Sequence, residues 1–432
     1  MGRIRHLIIG NSAAAVNCIE AIRGVDTANA ITVVSDEESL NYSRPLLSYC
    51  LGGRIDKEKL PFVGRDFYEK RGVNLILGKR AADLNVSEKH VTLDDGTSLS
   101  YDGCLLSVGG VSIVPPIGGL HNTVEGVFSF LTVKEIQALV DYIERNEIKE
   151  AVVLGGGLIG LKVVEGLLER GLKPTVVELA DRILANTFDQ DASGILEKRL
   201  AEAGCTVIKG DTIQGIDTRQ GRLTRVLLRN SNEVLDTSLL IIAVGVRPNL
   251  ELVRGTPVKT DRGILIDQCM RTNIQDVYAA GDCAQGIDLL HKTKEVIAIW
   301  PVAARQGRIA GLNMCGIRKE YTGLFPMNSV QICDIPTISF GVTNPPEEIG
   351  YEILRRVSQE TGSYKKIVLK DGRVVGTILI RSIERAGVYG MLIREGVEVH
   401  DFKDQLLRED FGLLVLPKDF RKHLLGEVGL EV

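Results

Sequence analysis

Residues 151–168 read AVVLGGGLIGLKVVEGLL, and Gly155, Gly157 and Gly160 fall at the spacing GxGxxG between an apolar run and a helical run. That spacing can seat a pyrophosphate. The first glycine permits a tight turn, the second admits the phosphates close to the backbone, and the third lets helix meet strand. Leu158 and Ile159 open the helix, whose free amides would face the phosphates. Glu178 closes the next apolar run, eighteen residues beyond Gly160. A carboxylate there accepts hydrogen bonds from an adenosine ribose and repels a 2′-phosphate, so NAD(H) is expected rather than NADP(H). Arg182, close by, is the one residue that would favour the phosphate. A tightly packed turn that binds nothing is the alternative reading.

The same rhythm occurs once more near the start, in HLIIGNSAAAVNCIEAIR, residues 6–23. Here the positions are Gly10, Ser12 and Ala15, with Ala13 and Ala14 opening the helix behind them. Serine and alanine are small enough to keep close approach possible. Asp36 follows the next apolar strand and is the candidate ribose acid, although Ser35 holds the place where that carboxylate is usually expected. Two turns of different chemistry in one chain suit two different nucleotide cofactors.

No other group of residues suggests a nucleophile with its base. The six histidines do not cluster in sequence, and His90, His291, His400 and His423 read as ordinary polar contacts. The eight cysteines form no CxxC or CxxxxC pair. That spacing argues against an iron–sulfur cluster or a structural zinc site, whose ligands would have to converge from distant positions. No metal is expected.

These sites need elements to hold them. Ile4–Ile9 and Ile31–Ser35 read as strands flanking a helix, a compact βαβ start. A second unit opens at Ala151. Each copy ends in a short apolar strand and glycine, CLLSVGG in the first and LLIIAVG in the second, so two related α/β domains of Rossmann type are expected. DVYAAGDCAQG, residues 276–286, then returns the chain to the first domain. The boundaries expected are 1–115 with 247–318 for the first domain, 116–246 for the second, and 319–432 for a smaller C-terminal α/β domain rich in hairpins.

With 432 residues, 44% of them hydrophobic and 25% charged, two or three ordinary domains are affordable. A formal net charge of −4 gives no support to nucleic-acid binding. No apolar run approaches the roughly 20 residues of a membrane span. The arginines at the N-terminus precede no long apolar segment, so a signal peptide is not expected and a cytoplasmic location is.

The layout resembles the pyridine nucleotide–disulfide reductase superfamily, and within it the NADH-dependent rubredoxin/ferredoxin reductase and nitrite-reductase-large-subunit-like branch. NYSRPLLSYCLGG, residues 41–53, matches the branch's YxRPxLS segment; Ser107-Val108-Gly109 and Ala243-Val244-Gly245 match its two ATG-like stretches; NIQDVYAAGD, residues 273–282, is its strongest signature. The resemblance implies a glutathione-reductase-like fold with FAD on the N-terminal turn, NAD(H) on the middle turn and an interface-type last domain. It places Arg44, Pro45, Gly109, Gly245, Gly281 and Asp282 at the cofactors. It also brings the start of the helix at Pro301 toward the flavin pyrimidine edge, where the positive helix end stabilises negative charge. Trp300 either flanks that ring or is a core tryptophan.

The implied activity is hydride transfer between NAD(H) and FAD, then electron transfer to or from ferredoxin, rubredoxin or an iron–sulfur subunit of a larger redox complex. A homodimer or hetero-oligomer would form through the last domain. An NADH oxidase reducing oxygen and a non-catalytic assembly protein retaining the fold are the competing readings. Members of the superfamily with thiol chemistry place redox cysteines near the flavin; here Arg44 stands near that place and Cys50 lies six residues further on. No catalytic residue is therefore expected beside the flavin, and Arg44, Lys162 and Trp300 are expected as modulators. Lys162 stands where many relatives carry a glutamate, and either meets NADH phosphate or pairs with Glu165.

Overall fold

The computed structural model describes residues 4–347, 350–358 and 360–416; His423 and the end of the expected last domain lie outside them. The chain divides into two compact units, residues 1–177 with 211–324, and residues 178–210 with 325–432.

The first unit is built on two parallel sheets. Strand β1 (Arg5–Ile9) leads through the first glycine turn into helix α1 (Ala13–Arg23), and β2 (Ala30–Ser35) follows. A short helix α2 (Leu47–Leu51), β3 (Val73–Leu77) and β4 (Gly103–Leu106) come next. Strands β5 (Gly110–Ser112) and β6 (Val127–Ser129) lead to β7 (Glu150–Leu154), the second glycine turn, helix α3 (Leu158–Glu169) and β8 (Lys173–Glu178). The unit resumes with β9 (Leu240–Ile242), β10 (Val246–Pro248), β11 (Val277–Ala279) and helix α4 (Trp300–Met314).

One sheet has the order β11-β4-β1-β2-β3, so the late strand β11 adds to the edge of the sheet that contains β1. The other includes β8-β7-β9-β6 in that order. Their central strands are equivalent. Ile9 at the end of β1 pairs with Val34 and Leu106, and Leu154 at the end of β7 pairs with Val177 and Ile242. Both strands are buried on both faces, with Ile8 and Val153 fully inaccessible, as parallel sheets covered by helices require. The two glycine-ended stretches are joined by an antiparallel pair, β5 with β10, in which Val111 faces Arg247.

Helices α1 and α4 pack very closely and run parallel. A Cβ on Gly307 would collide with the backbone of Ala14, and one on Gly311 would come within 2.6 Å of the Cys18 carbonyl oxygen. Glycine at both positions is therefore a packing requirement.

The second unit carries an antiparallel sheet of strands β12 (Met327–Ile332), β13 (Ile335–Gly341), β14 (Tyr351–Ser358), β15 (Ser363–Lys370) and β16 (Arg373–Ile380), in the order β12-β13-β16-β15-β14, with helix α5 (Ala386–Glu395). Buried Lys366 pairs with Asp189 at 2.9 Å, and the Tyr364 hydroxyl donates to the same carboxylate at 2.6 Å. Among the described residues no helix is long and apolar enough to cross a membrane.

Candidate functional site

The first turn leaves β1 at Gly10, whose φ of +104° only glycine adopts readily. Its N–H donates to the Val34 carbonyl at 2.8 Å, and a Cβ there would strike the Ser107 carbonyl oxygen. Ser12 is the N-cap of α1, yet its side chain caps nothing. The first amides of α1 are therefore left for a ligand. Ala13, Ala14 and Ala15 are buried behind them.

Between Gly10 and Ser12 stands Asn11, which the sequence reading did not single out. It is 9% exposed. Its Oδ1 accepts from the Tyr68 hydroxyl at 2.6 Å, that hydroxyl accepts from Asn41 at 2.7 Å, and the Asn11 Nδ2 has no partner. A buried amide held from one side, with its donor unpaired, is oriented toward something the protein itself does not supply.

At the end of β2, Asp36 is exposed, whereas Glu37 is half-buried. Glu37 accepts from Tyr42 at 2.6 Å and from Arg44 at 3.2 Å. Arg44 also donates to the Leu131 carbonyl at 2.5 Å. Pro45 fixes the turn that follows, inside the short helical segment Arg44–Leu46. Gly281 has φ +82°, donates to buried Gln306 at 2.9 Å, and leaves room for a Cβ only at contact distance from Ala303 and Ala14. Beside it, burial pushes the Asp282 carboxyl pKa up, the Arg44 charge pulls it back, and no hydrogen bond contributes. Helix α4 starts with Trp300 and Pro301 and has no side-chain cap. Trp300 is half-buried and sits edge-on to Phe62, ring centroids 4.7 Å apart, so it is not a core tryptophan.

The second turn repeats the first. Gly155 has φ +109°, donates to Val177 at 2.8 Å, and would place a Cβ 2.5 Å from the Ala243 carbonyl oxygen. Gly157 is the N-cap of α3, again with no side-chain cap, and nothing lies within 4 Å of where its Cβ would be. A Cβ on Gly160 would collide with the Gly155 carbonyl. Leu158 and Ile159 are half-buried at the helix start. Gly109 and Gly245 have φ +65° and +116°; they flank the β5–β10 pair that joins the two turns' domains.

Glu178 is the last residue of β8 and accepts from the Ala180 N–H at 2.8 Å. Arg182 is engaged by Asp181 at 2.8 Å and by the carbonyls of Ala185 and Phe188. Lys162 pairs with Glu165, the second of its two expected alternatives, and lies over the Tyr49 ring at 5.0 Å.

None of the eight cysteines is in a disulfide. Burial pushes the Cys50 thiol up, and holds the Cys104 and Cys283 thiols at about 12. Burial thus favours the protonated thiol at these three positions, the form that is the poorer nucleophile.

Residues 4–307 match the pyridine nucleotide-disulphide oxidoreductase family, and residues 326–397 match the rubredoxin NAD+ reductase C-terminal domain. The chain is 33% identical over 397 residues to the epsilon subunit of an NADH-dependent phenylglyoxylate dehydrogenase of Aromatoleum evansii, covering 90% of this chain and 91% of that one. It is 28% identical to an NADH oxidase of Methanocaldococcus jannaschii, covering 92% and 93%. Its fold is similar to that of a ferredoxin reductase from Rhodopseudomonas palustris, with a TM-score of 0.80, 25% identity, and coverage of 89% and 92%. The reading as a non-catalytic protein is thereby set aside: two open glycine turns on paired parallel sheets, with no disulfide among the eight cysteines, belong to a chain of the pyridine nucleotide-disulphide oxidoreductase family, an FAD- and NAD(H)-dependent oxidoreductase.

Proposed function

We propose that this oxidoreductase moves electrons between NAD(H) and an iron–sulfur or rubredoxin-type protein, as the NAD-reactive flavoprotein of a larger redox assembly. The observation that carries this reading is the combination of two ligand-ready turns with eight cysteines that form no disulfide. No dithiol stands ready to relay electrons, so they leave from the flavin itself to an external acceptor. The match of residues 326–397 to a rubredoxin reductase domain, and the likeness to a subunit of a larger dehydrogenase, support that kind of acceptor.

The residues present fit the two cofactors. Gly10, Ser12, Ala13 and Ala14 would hold the FAD pyrophosphate on α1, with the unpaired Asn11 amide as a further donor. The half-buried Asp282 carboxyl, lacking a hydrogen bond, would accept from the cofactor, and Gly281 would give it access. Arg44 and Pro45 would flank it, Glu37 is as well placed as Asp36 for the ribose, and Pro301 would present the amides of α4. Gly155, Gly157, Leu158, Ile159 and Gly160 would hold NAD(H), with Glu178 as the ribose acceptor. Arg182 is occupied by Asp181 and two carbonyls, which supports the preference for NAD(H). Gly109 and Gly245 would let the chain cross between the cofactors. Bound FAD supplies the chemistry: it takes a hydride as one unit and releases electrons singly.

The domains we assign to these roles are 1–115 with 247–318 for FAD, 116–246 for NAD(H), and 319–432 for contacts with a second copy or a partner subunit. A cytoplasmic location agrees with eight cysteines that form no disulfide.

Anaerobic stopped-flow mixing with NADH or NADPH tests the proposal. Bleaching of the flavin by NADH, followed by faster reoxidation with ferredoxin or rubredoxin than with air, is the expected result. Rapid reoxidation by air alone would instead establish an oxidase, the reading favoured by the Methanocaldococcus relative.

A further inference from the structure

At the far end of the α1/α4 pair from the glycine turn, a ring nitrogen of His6, a carboxylate oxygen of Asp26 and the Sγ of Cys315 lie within 4.8 Å of one another. His6 is the second residue of β1 and only 2% exposed, yet neither ring nitrogen makes a hydrogen bond. A buried imidazole whose single near polar neighbour is a carboxylate at the edge of hydrogen-bond range is costly, and such groups normally serve a ligand or an ordered water as well. Its Nε2 points to Asp26, with Oδ2 at 3.5 Å.

Asp26 is fixed from behind. Its Oδ1 accepts from the N–H groups of Ala28 and Asn29, each at 3.0 Å, and its Oδ2 accepts from the Asn29 amide at 2.7 Å. Cys315 is the C-cap of α4, free and half-buried. The Asp26 N–H donates to the Ile22 carbonyl at 2.7 Å, just past the end of α1. Because Gly307 meets Ala14 and Gly311 meets Cys18, the two helices run parallel and end together. Their carbonyl ends, which favour positive charge, therefore converge on this cluster.

We propose that His6, Asp26 and Cys315 form a binding site for a divalent cation of the zinc type, with water in the fourth position. One nitrogen, one oxygen and one sulfur suit a borderline-soft cation and do not suit magnesium or calcium, which take oxygen. Two tetrahedral ligands at zinc bond lengths stand about 3.3 Å apart, close to the 3.5 Å between Nε2 and Oδ2. The cation would tie the first strand of the FAD-binding domain to the end of the helix that returns to it. Zinc has no redox chemistry, so the ion would take no part in the electron transfer proposed for the flavin.

The test uses flavin-loaded protein, stripped with a chelator and equilibrated with zinc under reducing conditions. Zinc retained after gel filtration is counted, and iodoacetamide labelling of Cys315 is mapped by mass spectrometry. About one zinc per chain and about tenfold slower labelling of Cys315 with zinc present are expected. Cys315→Ser and Asp26→Asn are each expected to lose the zinc while keeping flavin and its reduction by NADH, which shows that they fold. Negligible zinc on the wild-type chain, unprotected Cys315, or full zinc retention in either variant would overturn the proposal.

Discussion

Gly157 and Ser12 hold the same place in the two turns: each is the N-cap of a helix that receives no side-chain cap. The residues before them are equivalent too. Gly10 and Gly155 share a positive φ, donate to the neighbouring strand over 2.8 Å, and face a carbonyl that excludes a Cβ. The protein itself demands glycine at these two positions. At Gly157 it does not. Its φ of −79° suits any residue, and its Cβ position is open for 4 Å. In the function proposed above, glycine at 157 would serve the ligand, while Ser12 shows that the first turn accepts a side chain there. The third positions differ in the same sense. Ala15 is fully buried with its methyl accommodated, whereas a methyl at Gly160 would strike the turn itself.

The largest expected effect tests what the turns share. Gly10→Val and Gly155→Val should each lose about 3 kcal/mol or more, from a forbidden φ and a backbone collision together. Urea unfolding measures both; a loss at only one of them would break the equivalence.

Next comes the position where the turns differ. Gly157→Val should leave flavin content and thermal stability unchanged and weaken NADH binding about 100-fold, by filling the space the phosphates need. Ser12→Gly should alter flavin affinity by no more than about threefold, since the serine side chain caps nothing. Nucleotide titration and flavin release give the two readouts. A fall in stability at Gly157→Val would mean that the glycine serves packing after all.

A smaller effect is expected at the acid that follows the second turn. Glu178→Ala should weaken NADH binding about tenfold, the worth of a hydrogen bond to a charged group, and leave NADPH binding little changed. Paired titrations of the two nucleotides check it. Equal loss for both would remove Glu178 from the choice between them.

The comparison also shows what could be read from the chain alone. The turns were legible because a positive φ and a close backbone approach leave a residue-type signature within a few positions. So was the return of the chain, because the strand at Val277–Ala279 ends in its own glycine. The side-chain arrangement at the end of β2 was not: the sequence nominates Asp36, and only the structure shows Asp36 exposed beside a Glu37 held by Tyr42 and Arg44. Asn11 was missed because its orientation comes from Tyr68, a distant residue with no periodic signal. His6, Asp26 and Cys315 were missed for the same reason. Their meeting depends on two helices packing through Gly307 and Gly311, which sequence spacing does not express.

The smallest effect concerns Asp282, the acid proposed to face the flavin, which has no counterpart in the second turn. Burial raises the Asp282 carboxyl pKa, so the folded chain holds that proton more tightly than the unfolded chain does. Ionised Asp282 therefore subtracts from stability. The cost is present above the raised folded pKa and disappears as pH falls below the carboxyl's unfolded value. In flavin-stripped protein, Asp282→Asn should raise the melting temperature at neutral pH by a few degrees at most, and the gain should vanish as the pH is lowered through the carboxylate range. In flavin-loaded protein the same change removes an acceptor from the cofactor, so the gain should shrink or reverse. Melting curves of both forms across pH separate the two contributions. A gain that persists at low pH would show that the benefit came from packing rather than charge, and a gain equal in both forms would take Asp282 away from the cofactor.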